Sequence, residues 1–421
     1  MRLLLGAFGD PGHAFPMLAL GRELAARGHE VTLQTWQRWR EQTEAEGMRF
    51  AAAPEYHVFP TQDRPLKPYQ AVVRAARETL PLVEEVRPDA VVADILTLAP
   101  ALASEMRGVP VATLVPHVWP VGADALPPYS IGARMPRTAV GRTFWRRVDR
   151  ITQGGLVQGR EELNETRERL GLPPLERVHG GISDRLALVA TFPQLEYPRP
   201  WPDHVHVIGP LAYELPAEEV ELPPGDGPLV LVAPSTVHDP EFRLVRNTLR
   251  ALADEPVRVI AAWNRRPPPA SVHIDVPANA RLVDWLSYSR VMPQCDVVVS
   301  HVGHGTLMRA LESGCVVVAC GAAGDQAENA ARVDWAGVGV RVPRRFQTAG
   351  PLRLAIRKAL RERGLRARAR GLAAWARSND AAARGADLVE GLAAEAQGGA
   401  ATGAGDVAGG VGRDREGANA D

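Results

Sequence analysis

Short apolar runs alternate with helical stretches twice along this chain, and that rhythm is what most limits the folds open to it. Residues 3–8 (LLLGAF) lead into Gly9, Asp10, Pro11 and Gly12, then into the helical pattern FPMLALGRELAARG and the strand-like EVTLQT. This is strand, loop, helix, strand: the βαβ unit. PDAVVADI (88–95) reads as a buried parallel strand, ALASEMRG as its helix and VPVATLV as the next strand. RLALVATF (185–192) and HVHVIGPL (204–211) read as two more. The stretch 215–228 is rich in proline, glycine and acid, and after it PLVLVAPST restarts the same rhythm. VRVIAAWN, ARLVDWL, CDVVVSHVG, VVVACG and VGVRVP follow as apolar runs between helical stretches. With 421 residues the chain is too long for one ordinary domain and suits two.

The expected organisation is a first α/β domain over 1–208, a linker over 209–228, and a second α/β domain over 229–396 that includes C-terminal helices. A disordered tail is expected over 397–421, where the sequence offers little apolar surface to bury. Residues 116–150 change character: Pro116, Pro120, Pro127, Pro128 and Pro136 argue against a regular element there. Basic and acidic residues balance at 49 each, which speaks against a nucleic-acid binder. Cys295, Cys315 and Cys320 are odd in number and irregular in spacing, so neither a disulfide framework nor a zinc site is expected. No leader or membrane-spanning stretch is evident, and no helix stands out as a basic, apolar patch for a lipid surface. A cytoplasmic protein, monomeric or homodimeric, with no stable membrane insertion is the expectation.

The most informative segment is 295–330. A buried strand, Val297 to Ser300, runs into His301-Val302-Gly303-His304-Gly305-Thr306 and then into an amphipathic helix. Glycines at such a turn let backbone amides approach a diphosphate, and the helix N-terminus adds partial positive charge. His301 falls at the carboxyl end of the strand, where open α/β sheets bind ligands. The third glycine of the dinucleotide fingerprint is missing.

The whole segment resembles the nucleotide-sugar signature of glycosyltransferase family 1: His301, Gly303, Gly305 and Thr306, then Ala310, Leu311 and Gly314, then Asp325, Gln326, Asn329 and Ala330. The resemblance implies a GT-B fold, two Rossmann-like α/β domains facing each other across a cleft. It implies that His301 and the amides near Thr306 hold the donor diphosphate and that Asp325 and Gln326 bind donor sugar hydroxyls. Trp285 matches the aromatic on which uracil or thymine stacks, and Ser235 and Thr236 fall near the phosphates. The chain departs from the pattern at Arg309, where many members carry a ribose-binding Glu, and at Val316 and Gly321, where prolines are usual.

His13, in the first βα turn, matches the family's general base, and Asp94 matches the aspartate that orients it. A histidine with an ordinary pKa of about 6.5 suits proton removal near neutrality. The implied reaction is inverting, metal-independent transfer of a hexose or deoxyhexose from a UDP- or TDP-sugar to a small apolar acceptor, with no cofactor. Acceptor-lining candidates are Tyr56, Phe59, Trp119, Tyr129 and Trp145. Other readings are a nucleotide-sugar 2-epimerase, a lipid-linked cell-wall transferase of the same fold, and a non-catalytic nucleotide-sugar-binding helper.

Overall fold

Runs of valine, leucine and alanine with every side chain buried make the central strands of this protein, as expected where helices cover both faces of a parallel sheet. The computed structural model describes residues 1–54, 68–234, 239, 241–322 and 324–405. In its first half β1 (Arg2–Gly6), α1 (Pro11–Ala26), β2 (Glu30–Thr35), α2 (Arg40–Ala45), β3 (Arg49–Ala52) and α3 (Pro68–Val86) follow in order. Then come β4 (Ala90–Asp94), α4 (Leu98–Glu105), β5 (Val111–Val115), α5 (Ala139–Arg169), β6 (Ala187–Val189) and β7 (Val205–Val207).

After 208–228, which carries no regular element, the second half begins with β8 (Leu229–Ala233), α6 (Arg243–Leu252), β9 (Arg258–Ala262), β10 (Ala280–Val283) and α7 (Tyr288–Val291). It continues with β11 (Val297–Ser300), α8 (His304–Glu312), β12 (Val316–Ala319), α9 (Asp325–Ala336) and β13 (Gly339–Arg341). Three helices close the chain: α10 (Ala349–Arg361), α11 (Arg363–Ser378) and α12 (Ala381–Gly405).

The strands form two parallel sheets, ordered β3-β2-β1-β4-β5-β6-β7 and β10-β9-β8-β11-β12-β13. In the first the strand order reverses between β1 and β4, in the second between β8 and β11. Such switch points open a crevice at the carboxyl ends of the strands. His13 follows β1 and Asp94 ends β4; Pro234 follows β8 and His301 follows β11. Each sheet therefore presents its candidate residues at its own crevice.

Three elements differ from the sequence expectation. First, residues 139–150 are helical, the opening turns of the long α5. All five prolines precede the helix, and Thr138 caps it by accepting the Gly141 amide at 3.1 Å. Second, α12, expected with the second domain, packs on the first. Its Ala386, Val389, Leu392 and Ala393 join Leu3, Leu5, Leu18 and Leu20 in the core of the first. Arg27, the residue that ends α1, grips it through Asp387, Glu390 and the Ala383 carbonyl. Third, α12 continues through 397–405, placed in the tail by sequence; its alanines favour helix.

Candidate active site

The first βα turn is held by a close backbone approach. A Cβ on Gly9 would lie 1.9 Å from the Trp36 ring, so only glycine fits, and the Gly9 carbonyl accepts from Trp39 Nε1 at 2.8 Å. Asp10 and Pro11 then start α1 and bring His13 into its first turn. His13 Nδ1 lies 2.8 Å from Asp94 Oδ1. The Asp94 side chain is completely buried and further held by the Phe8 amide at 3.2 Å and the Thr97 hydroxyl at 3.3 Å. A carboxylate there requires the proton on Nδ1 and leaves Nε2 as the acceptor.

Burial by itself lowers the His13 pKa. The Asp94 hydrogen bond and charge, with the charges of Asp10 and Asp325, outweigh it and set the group above its usual 6.5. Asp325 belongs to α9 of the second domain, so its field reaches His13 from the opposite half of the molecule.

The glycine turn lies across from this pair. Val302 adopts a left-handed backbone (φ 54), with its amide held by Ser300 Oγ at 2.8 Å and its carbonyl accepting from Asn329 at 2.9 Å. Gly303 precedes α8 and Gly305 lies in its first turn; a Cβ on either would meet nothing within 4 Å. Packing therefore does not explain these two glycines, which leave open space at a helix N-terminus whose partial positive charge favours an anion. His301 is buried, with Nε2 3.8 Å from Asp239, a carboxylate that also caps α6 through the Arg243 and Leu244 amides. Thr306 and Asn264 hydrogen-bond the Tyr288 hydroxyl, which burial pushes up to about 12.

Trp285 is half-buried just beyond β10, and the Arg265 guanidinium lies 4.8 Å above its ring. Its Nε1 is buried without a hydrogen-bond partner. Asp325 and Gln326 open α9; Gln326 is buried and its Oε1 accepts from the Ala322 amide at 3.3 Å. Arg309 faces Glu312 at 3.4 Å, and burial pushes that carboxyl up to about 7 against the pull of Arg309.

Among the acceptor candidates within the described residues, the structure brings Tyr129 to His13. Its ring stacks on His117 at 5.3 Å, and His117 meets the His13 ring edge-on at 6.4 Å. Trp119 is a correction: it is buried in the core among Val115, Ile182, Val189 and Trp201. Trp145 packs edge-on against Phe144 along α5. Tyr56, Phe59, Ser235 and Thr236 lie outside the described residues.

Two histidines at the site carried no role in the sequence reading. His117 donates from Nδ1 to the Val118 carbonyl at 2.8 Å, and burial pushes it down to about 4, so it is neutral. His304 joins the halves: its Nε2 lies 3.0 Å from the Ala190 carbonyl at the end of β6. Beside it a buried ion cluster spans the domains, Arg332 reaching Glu328 at 2.8 Å, Glu196 at 3.4 Å and the Leu195 carbonyl at 3.2 Å. The spacing HVGHGT was the one available signal for His304; nothing local marked the cluster.

Known proteins share this architecture. The Erythromycin biosynthesis protein CIII-like C-terminal domain matches residues 246–390, and Glycosyltransferase Family 4 matches residues 17–186. The 4'-demethylrebeccamycin synthase of Lentzea aerocolonigenes is 28% identical over 407 residues, covering 87% of this chain and 94% of that one. The glycotransferase of kitacinnamycin superposes with a TM-score of 0.71 at 23% identity, over 93% of this chain and 98% of its own. VinC, solved with dTDP, gives a TM-score of 0.67 at 18% identity, over 94% and 100%. The chain is a glycosyltransferase with the GT-B fold, related to natural-product glycosyltransferases.

Proposed function

We propose that the protein is an inverting transferase that moves a hexose or deoxyhexose from a UDP- or TDP-sugar to a hydroxyl of a small apolar acceptor. The observation that carries this is the His13–Asp94 pair, set at one switch point and within the field of Asp325 on the other domain. His13 Nε2 takes the acceptor's hydroxyl proton as its oxygen forms the new bond to the anomeric carbon. The bond from that carbon to the diphosphate oxygen breaks, and its electron pair leaves with the diphosphate. The α8 N-terminus, the amides at Gly303 and Gly305, and His301 hold the departing charge, so the reaction runs without a metal. Asp94 fixes the tautomer of His13 and stabilises the imidazolium that forms.

Trp285 is the platform for the pyrimidine, and the positions of Asp325 and Gln326 at the start of α9 suit them to the sugar hydroxyls. The apolar acceptor lies against Tyr129 and His117. The solved relative VinC holds dTDP, which favours a pyrimidine diphosphate donor. Incubating the protein with UDP- and TDP-sugars and a panel of hydroxylated apolar acceptors, read by mass, tests the reading. Release of nucleoside diphosphate that needs acceptor and disappears in His13→Ala supports it; interconversion of donor sugars without acceptor would point to an epimerase.

A further inference from the structure

The first half of α5 has a surface the active site does not use. Val140 is 81% exposed, Phe144 55% and Ile151 80%, and none has a covering element among the described residues. Residues on a helix turn by about 100° each, so these three fall in one stripe about 40° wide. Arg147 adjoins the stripe and Arg150 flanks it, both exposed. Arg137, just before the helix, adds another exposed cation, and none of these three arginines makes an ion pair with a described residue; Arg142 is exposed too but falls on the opposite face of the helix. The acids in this region are already engaged: Asp124 binds Arg146, and Asp149 accepts from Thr152 and Gln153. The second half of the same helix differs: there Arg167 is buried, held by Glu105 and the Pro173 carbonyl.

An exposed apolar stripe edged by unpaired arginines matches the surface of an anionic lipid bilayer. Apolar side chains enter the headgroup boundary and guanidinium groups pair with lipid phosphates. We infer that residues 137–151 dock the protein peripherally on an anionic bilayer. A second copy of the chain suits the stripe poorly, because a two-fold contact sets Arg147 and Arg150 against their own counterparts. The segment preceding α5 carries Tyr129 at the active site, and its Arg134 bridges to Asp334 on α9 at 2.9 Å. Docking therefore brings the bilayer to the mouth of the cleft. This inference stands whatever donor or acceptor the enzyme uses.

Co-sedimentation of the full chain with vesicles of phosphatidylcholine alone, or with added phosphatidylglycerol, tests it. The expected result is about tenfold or greater enrichment on the anionic vesicles, lost in high salt. A Phe144→Glu, Ile151→Glu double variant and, separately, an Arg147→Glu, Arg150→Glu double variant should both lose binding while keeping the wild-type melting temperature. These are exposed positions, and either variant suffices should the other fail to fold. Equal binding to both vesicle types, no binding, or undiminished binding by the folded variants overturns the inference. So does a solution dimer, seen by sedimentation velocity, that Phe144→Glu, Ile151→Glu dissociates.

Discussion

Replacing Asp94 by Asn isolates the electrostatic part of the pair that drives proposed catalysis, because it keeps the side chain's shape and removes its charge. One carboxylate oxygen receives the Phe8 amide at 3.2 Å. A backbone N–H cannot reverse its role, so the new carboxamide keeps its oxygen toward Phe8 and turns its NH2 toward His13 Nδ1. The imidazole then accepts at Nδ1 and carries its proton on Nε2, the atom that should receive the acceptor's proton. General-base catalysis contributes about 10²- to 10⁴-fold. The expected loss in kcat is of that size, equivalent to roughly 3–5 kcal/mol of barrier. The pH profile should move as well. The neutral imidazole is the active form and its pKa lies above 6.5, so wild-type kcat/KM rises with pH through a limb above 6.5. A histidine raised in this way stabilises the fold fully below its unfolded pKa, and that contribution fades as pH climbs through the raised value. Without the carboxylate, burial dominates and the limb shifts to lower pH. Nucleoside diphosphate release, followed across pH for both proteins, reads both effects. Turnover equal to wild type with an unmoved acid limb would refute the assignment of His13 as base.

Trp285→Ala should weaken donor binding by about 1–3 kcal/mol, measured as the Kd of UDP or TDP by calorimetry; an unchanged Kd removes the stacking platform. Gly305→Ala should hold or raise stability by about 0.5–1 kcal/mol, because it sits in a helix and its Cβ meets no atom, yet it should raise the donor KM. A loss of stability instead would mean that packing alone requires that glycine. Arg332→Met leaves Glu328 buried without its arginine and Glu196 with Arg199 alone at 4.0 Å, at a cost of about 3–5 kcal/mol in chemical denaturation. A chelator should leave turnover unchanged, and loss of activity restored by a divalent cation would end the metal-independent reading.

The parts of the site legible in the sequence are those built within one βα unit. The turn 301–306 and the start of α9 are contiguous and carry glycines at fixed offsets, so their chemistry can be read directly. His13 follows β1 and Asp94 ends the neighbouring strand β4, and the βα rhythm already placed both at carboxyl ends. What the sequence hid depends on pairs distant along the chain. His304 meets Ala190 only when the two domains close on each other, and His117 gains meaning only beside His13 and Tyr129. Trp119 and Tyr129 share one proline-rich stretch, yet one indole turns into the core and one phenol toward the cleft. Composition carries no information on that choice. The helix α5 was obscured because prolines clustered just before it coloured the reading of the residues that follow.

The return of α12 to the first domain means that the polypeptide passes between the two halves twice, once through 208–228 and again beyond α11. Two passages restrict the halves to a rocking motion, where a lone tether would leave them free to swivel. The same route sets an order on the ribosome. Leu3, Leu5 and Leu20 emerge early, but their full covering waits for Ala386 and Val389, synthesised after the entire second domain. The nascent first domain therefore exposes an apolar groove for most of translation, and severing the gene at the linker would produce an N-terminal fragment prone to aggregate.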